Sequence, residues 1–195
     1  MVKRPGRYEK CGRRYVTDLK YEVSPIGHIE TPFTDVSEGV PIQGRSRPDI
    51  PGRIVLKDEY IPALEGLEEF SHIICIYLFH RCREVKLRAR PYADPTERGI
   101  LSIRSPHRPN HIGITLVELA GIERSILHIK GVDMLDGTPL LDIKPYNPDM
   151  DYVPDARIGW MGRLGKNNPF DRTVTSHEEW LHENTEDSEK EKSDE

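Results

Sequence analysis

The sequence predicts a mainly β protein, an antiparallel or mixed β-barrel of about seven strands with at most two short helices. Short apolar segments rich in β-branched residues recur at regular spacing, with no long helical pattern between them. No Gly-x-Gly-x-x-Gly or Walker loop joins a strand to a helix, which disfavours a Rossmann or P-loop architecture. At 195 residues the chain is long enough for one domain with a sizeable core and short for two.

Met1–Lys20 is basic and poor in apolar residues, so it is expected to be mobile or ordered only against a partner. Tyr21–Ile29 reads as the first strand, interrupted by Pro25 and Gly27. A turn-rich region follows, and Pro41–Pro51 alone holds three prolines. Loops this long inside a compact domain are usually functional or disordered. Gly52–Leu56 reads as a second strand. Glu59–Leu67 predicts one or two helical turns, with Pro62 early and Gly66 near the end. Ser71–Phe79 is the most apolar segment, and its β-branched content predicts a strand buried on both faces. Arg83–Arg98 is an arginine-rich loop. Gly99–Arg104 and Ile112–Leu119 are further strand candidates, joined by a Ser105–His111 segment that two prolines and an asparagine make rigid. Gly121–Gly131 predicts another strand, and Leu140, Leu141 and Ile143 a last one. Beyond Tyr146 the pattern fades: Ile158–Gly165 has no clear periodicity. Ser176–Asn184 reads as a short helix, with Ser176 and Glu179 forming a capping box. Glu186–Glu195 is expected to be disordered. The organisation is a basic segment over 1–20, a barrel domain over 21–155 and an extension over 156–195 that ends in an acidic tail.

Charge is unevenly placed. The net of −5 hides a tail, residues 178–195, with nine acids and two lysines, and two basic segments, 1–20 and 81–108, each of net +5. Basic surface beside a site suits a polyanionic partner, although a solvated face explains most such runs. Cys11, Cys75 and Cys82 form no Cys-x-x-Cys pair, which argues against a disulfide framework or a zinc knuckle, and Cys75 belongs to the core. The eight histidines form no metal-binding array, so no metal site is expected. No signal peptide or membrane-length apolar run is present, which predicts a soluble, cytoplasmic protein.

Chemistry concentrates in Asp133–Tyr146. Asp133, Asp136 and Asp142 fall within ten residues, followed by Lys144 and Tyr146. Asp136-Gly137 is a strong turn signal, because glycine supplies φ > 0 and aspartate tolerates it. A tight turn therefore presents carboxylates at the edge of an apolar core, where they need partners. Asp136 can simply shape the turn and Asp142 pair with Lys144 or a nearby arginine. Alternatively, the carboxylates hold a ligand with hydroxyls, such as a ribose, or positive charge. His80 and Arg81 stand where the apolar strand emerges, and Arg104 and Arg108 bracket the rigid segment, placed for oriented recognition of anions or stacked rings. Gln43 in the long loop carries both donor and acceptor.

Taken together, these segments resemble the TrmO (YaeB/TsaA-like) family over roughly Tyr21–Pro154. The resemblance rests on Ile26-Gly27-His28-Ile29 with Thr31-Pro32-Phe33, on Gly39–Gln43, on Gly66–His72, on Phe79-His80, on Arg104–Gly113 and on Asp133–Tyr146, in that order. It implies a small single-sheet β-barrel that pairs as a homodimer. The implied activity is an S-adenosylmethionine-dependent methyltransferase acting on N6 of threonylcarbamoylated adenosine beside the anticodon of tRNA. It also implies cofactor contacts from Pro41, Ile42, Gln43, His80, Arg81, Arg104, Ile114, Asp133, Met134, Leu135 and Asp136. Candidates for the group that relieves the adenine nitrogen of its proton are Asp142, Tyr146 and His107, and Arg108 and Lys144 suit a substrate carboxylate. The anticodon loop is the expected partner, gripped through phosphates by Met1–Lys20 and Arg81–Arg108. Two other readings use the same residues: a methyltransferase of this fold with a different RNA or small-molecule acceptor, and a non-catalytic module that binds a nucleoside or RNA.

Overall fold

The computed structural model describes residues 21–92 and 94–164. The predicted Ser176–Asn184 helix, the basic start and the acidic tail lie outside them. Eight strands form among the described residues: β1 (Gly27–Glu30), β2 (Pro51–Leu56), β3 (His72–Leu78), β4 (Arg88–Ala89), β5 (Arg98–Gly99), β6 (Ile112–Glu123), β7 (Ile126–Lys130) and β8 (Thr138–Pro145). Six close into an antiparallel barrel in the order β1-β2-β7-β6-β3-β8, and β4 pairs with β5 outside it. Closure leaves no free barrel edge, which is how so small a sheet satisfies its backbone.

Alternation along the strands fills the barrel. Ile29, Ile54, Ile73, Cys75, Val117, Leu127, Ile129 and Leu140 are all at most 1% exposed, and each such side chain contributes about 1.5–3 kcal/mol by leaving water. Cys75 is a core residue, as its apolar context predicts. Glycines let two close approaches occur. A side chain at Gly113 would collide with the Tyr77 ring, which therefore lies across β6. One at Gly44 would collide with the Gly131 carbonyl.

Four segments differ from expectation. The first strand begins at Gly27, because Pro25 cannot donate to a ladder. Gly99–Arg104 is no strand: after the two-residue β5 it winds into a 3-10 turn, Ile100–Ser102, that buries Ile100. Gly121–Gly131 is the end of β6, a reversal and β7; Arg124 makes the turn at φ 56 without glycine, so no turn signal marked it. Ser71–Phe79 is not buried on both faces. Ile73, Cys75 and Tyr77 point inward, while Ile74, Ile76 and Leu78 are half-buried on the outside. The predicted Glu59–Leu67 turns are 3-10, over Asp58–Leu64 and Leu67–Glu69. After β8 comes α1 (Pro148–Asp151), and the extension contributes a 3-10 turn, Gly159–Arg163. No helix among the described residues is long and apolar enough to cross a membrane.

Candidate functional site

One rim of the barrel gathers the polar groups. The connection from β7 to β8, residues 131–137, crosses this rim. Beside it emerge the end of β1, the loop before β2 and the end of β3. Turn chemistry fixes the connection. The Asp136 amide donates to the Phe33 carbonyl at 2.7 Å and the Gly137 amide to that of Ile29 at 2.9 Å, with Gly137 at φ 72. Asp136 Oδ1 in turn accepts the Thr31 amide at 3.0 Å, and the Thr31 hydroxyl donates to the Met134 carbonyl at 2.9 Å.

Asp133 forms the floor. Its Oδ2 accepts the Gly44 amide at 2.9 Å and its Oδ1 the Thr115 hydroxyl at 2.7 Å. Burial pushes its carboxyl up to about 6, against the lowering effect of Thr115, Gly44 and the nearby Arg104 guanidinium. Arg104 donates to Gln43 Oε1 at 3.1 Å, so the long loop and the rigid segment meet above Asp133. Across the 133–136 connection, His80 places Nδ1 3.4 Å from the Thr138 hydroxyl. Burial, and then the neighbouring Arg81 charge, hold its imidazole below the usual range, and Asp136 works in the opposite sense. Arg81 donates to the Thr34 carbonyl.

The structure thus brings together Gln43, His80, Arg81, Arg104, Asp133 and Asp136, which lie as far as 93 positions apart in sequence. Pro41 is buried and Ile42 partly so; the Ile42 carbonyl holds the Gln43 amide at 2.9 Å. Met134 turns its side chain into the core, at 3% exposed, and Leu135 packs against that core. Ile114 is set apart, because it lies on the outer face opposite Ile76, where it is 50% exposed.

The acceptor-side candidates scatter. Asp142 stands on the outer face of β8, and Lys144 pairs with it at 2.9 Å. Tyr146 lies at the far end of β8, its ring edge-on to His72 with centroids 6.4 Å apart. His107 and Arg108 follow Arg104 in the same segment. His107 Nδ1 sits 3.1 Å from the Glu84 carbonyl and 3.4 Å from Cys82 Sγ. Among the described residues, no group of three or more His, Cys, Asp or Glu could hold a metal. Sequence reading missed Thr31, Gly44, Tyr77 and Thr115. Thr115 carries a signal in hindsight, being the polar residue at a buried position of β6.

A closed barrel here carries two carboxylates, two guanidinium groups and an amide on one loop-built rim, groups that suit a small ligand with hydroxyls and separated charges. The chain belongs to the TrmO family: residues 28–152 match the tRNA-methyltransferase O N-terminal domain. It is 47% identical over 137 residues to a Pyrococcus abyssi protein named "Probable S-adenosyl-L-methionine-binding protein", covering 70% of this chain and 74% of that one. It is 40% identical over 134 residues to the mouse tRNA (adenine(37)-N6)-methyltransferase, covering 65% of this chain and 31% of that enzyme. The crystal structure of TrmO from Pseudomonas aeruginosa superposes with a TM-score of 0.63 at 40% identity, over 72% of this chain and 62% of that one. The chain therefore spans most of the archaeal relative, but less than two thirds of the crystallised TrmO and under a third of the mouse enzyme.

Proposed function

We propose that this chain is an S-adenosylmethionine-dependent methyltransferase acting on N6 of a threonylcarbamoyl-modified adenosine beside the anticodon of a tRNA, working as a cytoplasmic homodimer. The observation that carries the reading is the meeting of residues 41–43, 80–81, 104 and 133–136 at one rim of a TrmO-family barrel. The side chains fit the cofactor. Ribose hydroxyls need acceptors, and among the described residues only one Asp136 oxygen is held, by the Thr31 amide. A sulfonium favours the negative field of Asp133 and Asp136, and a terminal carboxylate suits Arg104 or Arg81. The glycine crossing of Gly44 and Gly131 lets backbone come close to the Asp133 floor, where a Cβ would block it.

When bound, S-adenosylmethionine supplies a methyl group already activated as a sulfonium, so the protein's share is orientation and electrostatics. Gln43, tied to Arg104, fixes the loop over the carboxylates. His80 is held neutral at physiological pH by burial and Arg81, so it can take part in hydrogen bonding without adding a second cation. On the acceptor side, His107 is the proton-accepting candidate carried by the same segment as Arg104, and Arg108 beside it suits the threonylcarbamoyl carboxylate. Basic residues of Arg81–Arg108 would grip anticodon-loop phosphates, making RNA binding fall with salt.

The homodimer reading is supported by the outer face of β3 and β6. Ile74, Ile76 and Leu78 pair across to Leu116, Ile114 and Ile112, an aliphatic patch on which Ile112 is 40% and Ile114 50% exposed. Such a patch fits a self-complementary interface, and Ile114 would then meet a partner copy.

Calorimetric titration with S-adenosylmethionine tests the reading first. Saturable binding near one site per chain is expected, with large losses in Asp136→Ala and Arg104→Ala. No binding by folded wild-type protein overturns it. Labelled methyl transfer to tRNA with and without threonylcarbamoyl then tests the acceptor, and equal transfer to both removes the modified base from the proposal.

A further inference from the structure

A hydrogen-bond chain runs from the core into the site. The Tyr77 hydroxyl lies 3.1 Å from the Thr115 hydroxyl, which donates to Asp133 Oδ1 at 2.7 Å. Distance alone leaves the proton direction at Tyr77 open, but chemistry settles it. An ionised Asp133 can only accept, and Thr115 has a single hydroxyl proton. That proton goes to Asp133, so the Tyr77 phenol must donate to Thr115. Burial pushes the phenol far above its ordinary range, which keeps that proton in place. The ring cannot swing away: it is 3% exposed, lies over Gly113 and meets Phe79 edge-on at 5.3 Å.

We infer that Tyr77 is a positioning residue for the cofactor site: by donating to Thr115 it fixes the Thr115 hydroxyl as a donor to Asp133 and so maintains Asp133 as an ionised acceptor. The inference deepens the proposed function and rests on its placement of the cofactor at Asp133. Charged and titratable groups facing Asp133 are Arg104 from the segment after β5, and Cys75 and Tyr77 from β3. Arg104 favours the carboxylate, while a charged Cys75 or Tyr77 would oppose it, and burial keeps both of those protonated. Without the Tyr77 proton, the Thr115 oxygen loses the donor that polarises its hydroxyl, and its 2.7 Å hydrogen bond to Asp133 weakens.

The test separates the relay from the cofactor reading. Carboxyl carbon NMR of Asp133, assigned with Asp133→Asn, is followed from pH 5 to 8 in full-length, cofactor-free protein. Calorimetry with S-adenosylmethionine covers the same range. Tyr77→Phe keeps the ring and should raise the Asp133 midpoint by about half to one unit, with roughly a two- to fivefold loss of affinity at the wild-type midpoint that recovers at higher pH. Thr115→Val, which leaves Tyr77 intact, should raise it further, and Thr115→Ser should behave as wild type. An unchanged Asp133 midpoint in Tyr77→Phe overturns the relay, whatever Thr115→Val does, because Thr115 bonds Asp133 directly. A raised midpoint with affinity independent of pH supports the relay and overturns the placement of the cofactor at Asp133.

Discussion

Gly44→Ala should disrupt the rim more than any other single methyl addition there. A Cβ on Gly44 would lie 1.8 Å from the Gly131 carbonyl oxygen and 2.8 Å from its carbon. Ordinary contact begins near 3.4 Å, so the two backbones must part by about 1.6 Å (3.4 minus 1.8), and neither is a flexible side chain. That displacement breaks the 2.9 Å bond from the Gly44 amide to Asp133. Overpacking of this kind costs about 1–3 kcal/mol, and loss of a hydrogen bond to a buried carboxylate about 1.5–3 kcal/mol. Together they predict a loss of about 2.5–6 kcal/mol, or roughly 5–20 °C in Tm for a domain of this size. Gly39→Ala is the matched control. Gly39 has φ 71 with nothing within 4 Å of the added carbon, so only conformational strain of about 1 kcal/mol applies. Thermal melts and S-adenosylmethionine titrations on both variants are the assay. A Gly44→Ala protein that melts with Gly39→Ala and binds cofactor as wild type would refute the steric argument.

Asp133 also makes stability depend on pH. Its folded value of about 6 lies above the ordinary 3.8, so its contribution is fully present below about pH 4 and is lost as pH rises through 6; two units correspond to about 3 kcal/mol. Urea unfolding of wild type against Asp133→Asn should therefore show a gap that moves in the variant's favour from pH 4 to pH 7, and a constant gap would contradict it. Trp160→Ala should cost about 1–2 kcal/mol, because Trp160 donates to the Ser102 carbonyl at 2.9 Å and lies under the Arg98 guanidinium at 4.8 Å. Faster proteolysis within 81–104 is the second readout. Ile114→Glu should abolish a dimer built on the outer face of β3 and β6, read by sedimentation velocity; an unchanged sedimentation coefficient would place the interface elsewhere.

Much of this was legible in the chain itself. Short apolar, β-branched segments at regular spacing, with no helical pattern between them, announced a β-rich barrel. Asp136-Gly137 announced its turn, since few residue pairs accept that backbone. The order of motifs from Ile26 to Tyr146 announced the family. Boundaries failed where local signals were weak. The reversal at Arg124 lacks glycine, and Gly99–Arg104 looks β-prone, yet buries Ile100 and Ile103 from an irregular path.

What the sequence alone determined was the β-rich class and the charged residues of the rim, with Gln43 and His80, while Thr31, Gly44 and Thr115 escaped it. Tertiary structure decided which candidates meet. Closure of β1 onto β8 and β3 onto β8 brings Thr31, His80 and Asp133–Asp136 to one end, and it sends Tyr146 to the other. Register decided faces: Thr115 points inward to Asp133 while its neighbour Ile114 points out. A one-residue shift in pairing would exchange them, and only the fitted core holds the register. The protonation of Asp133 belongs to the same level, because it depends on how deeply the closed barrel and its loops bury a carboxylate that the sequence shows merely as aspartate.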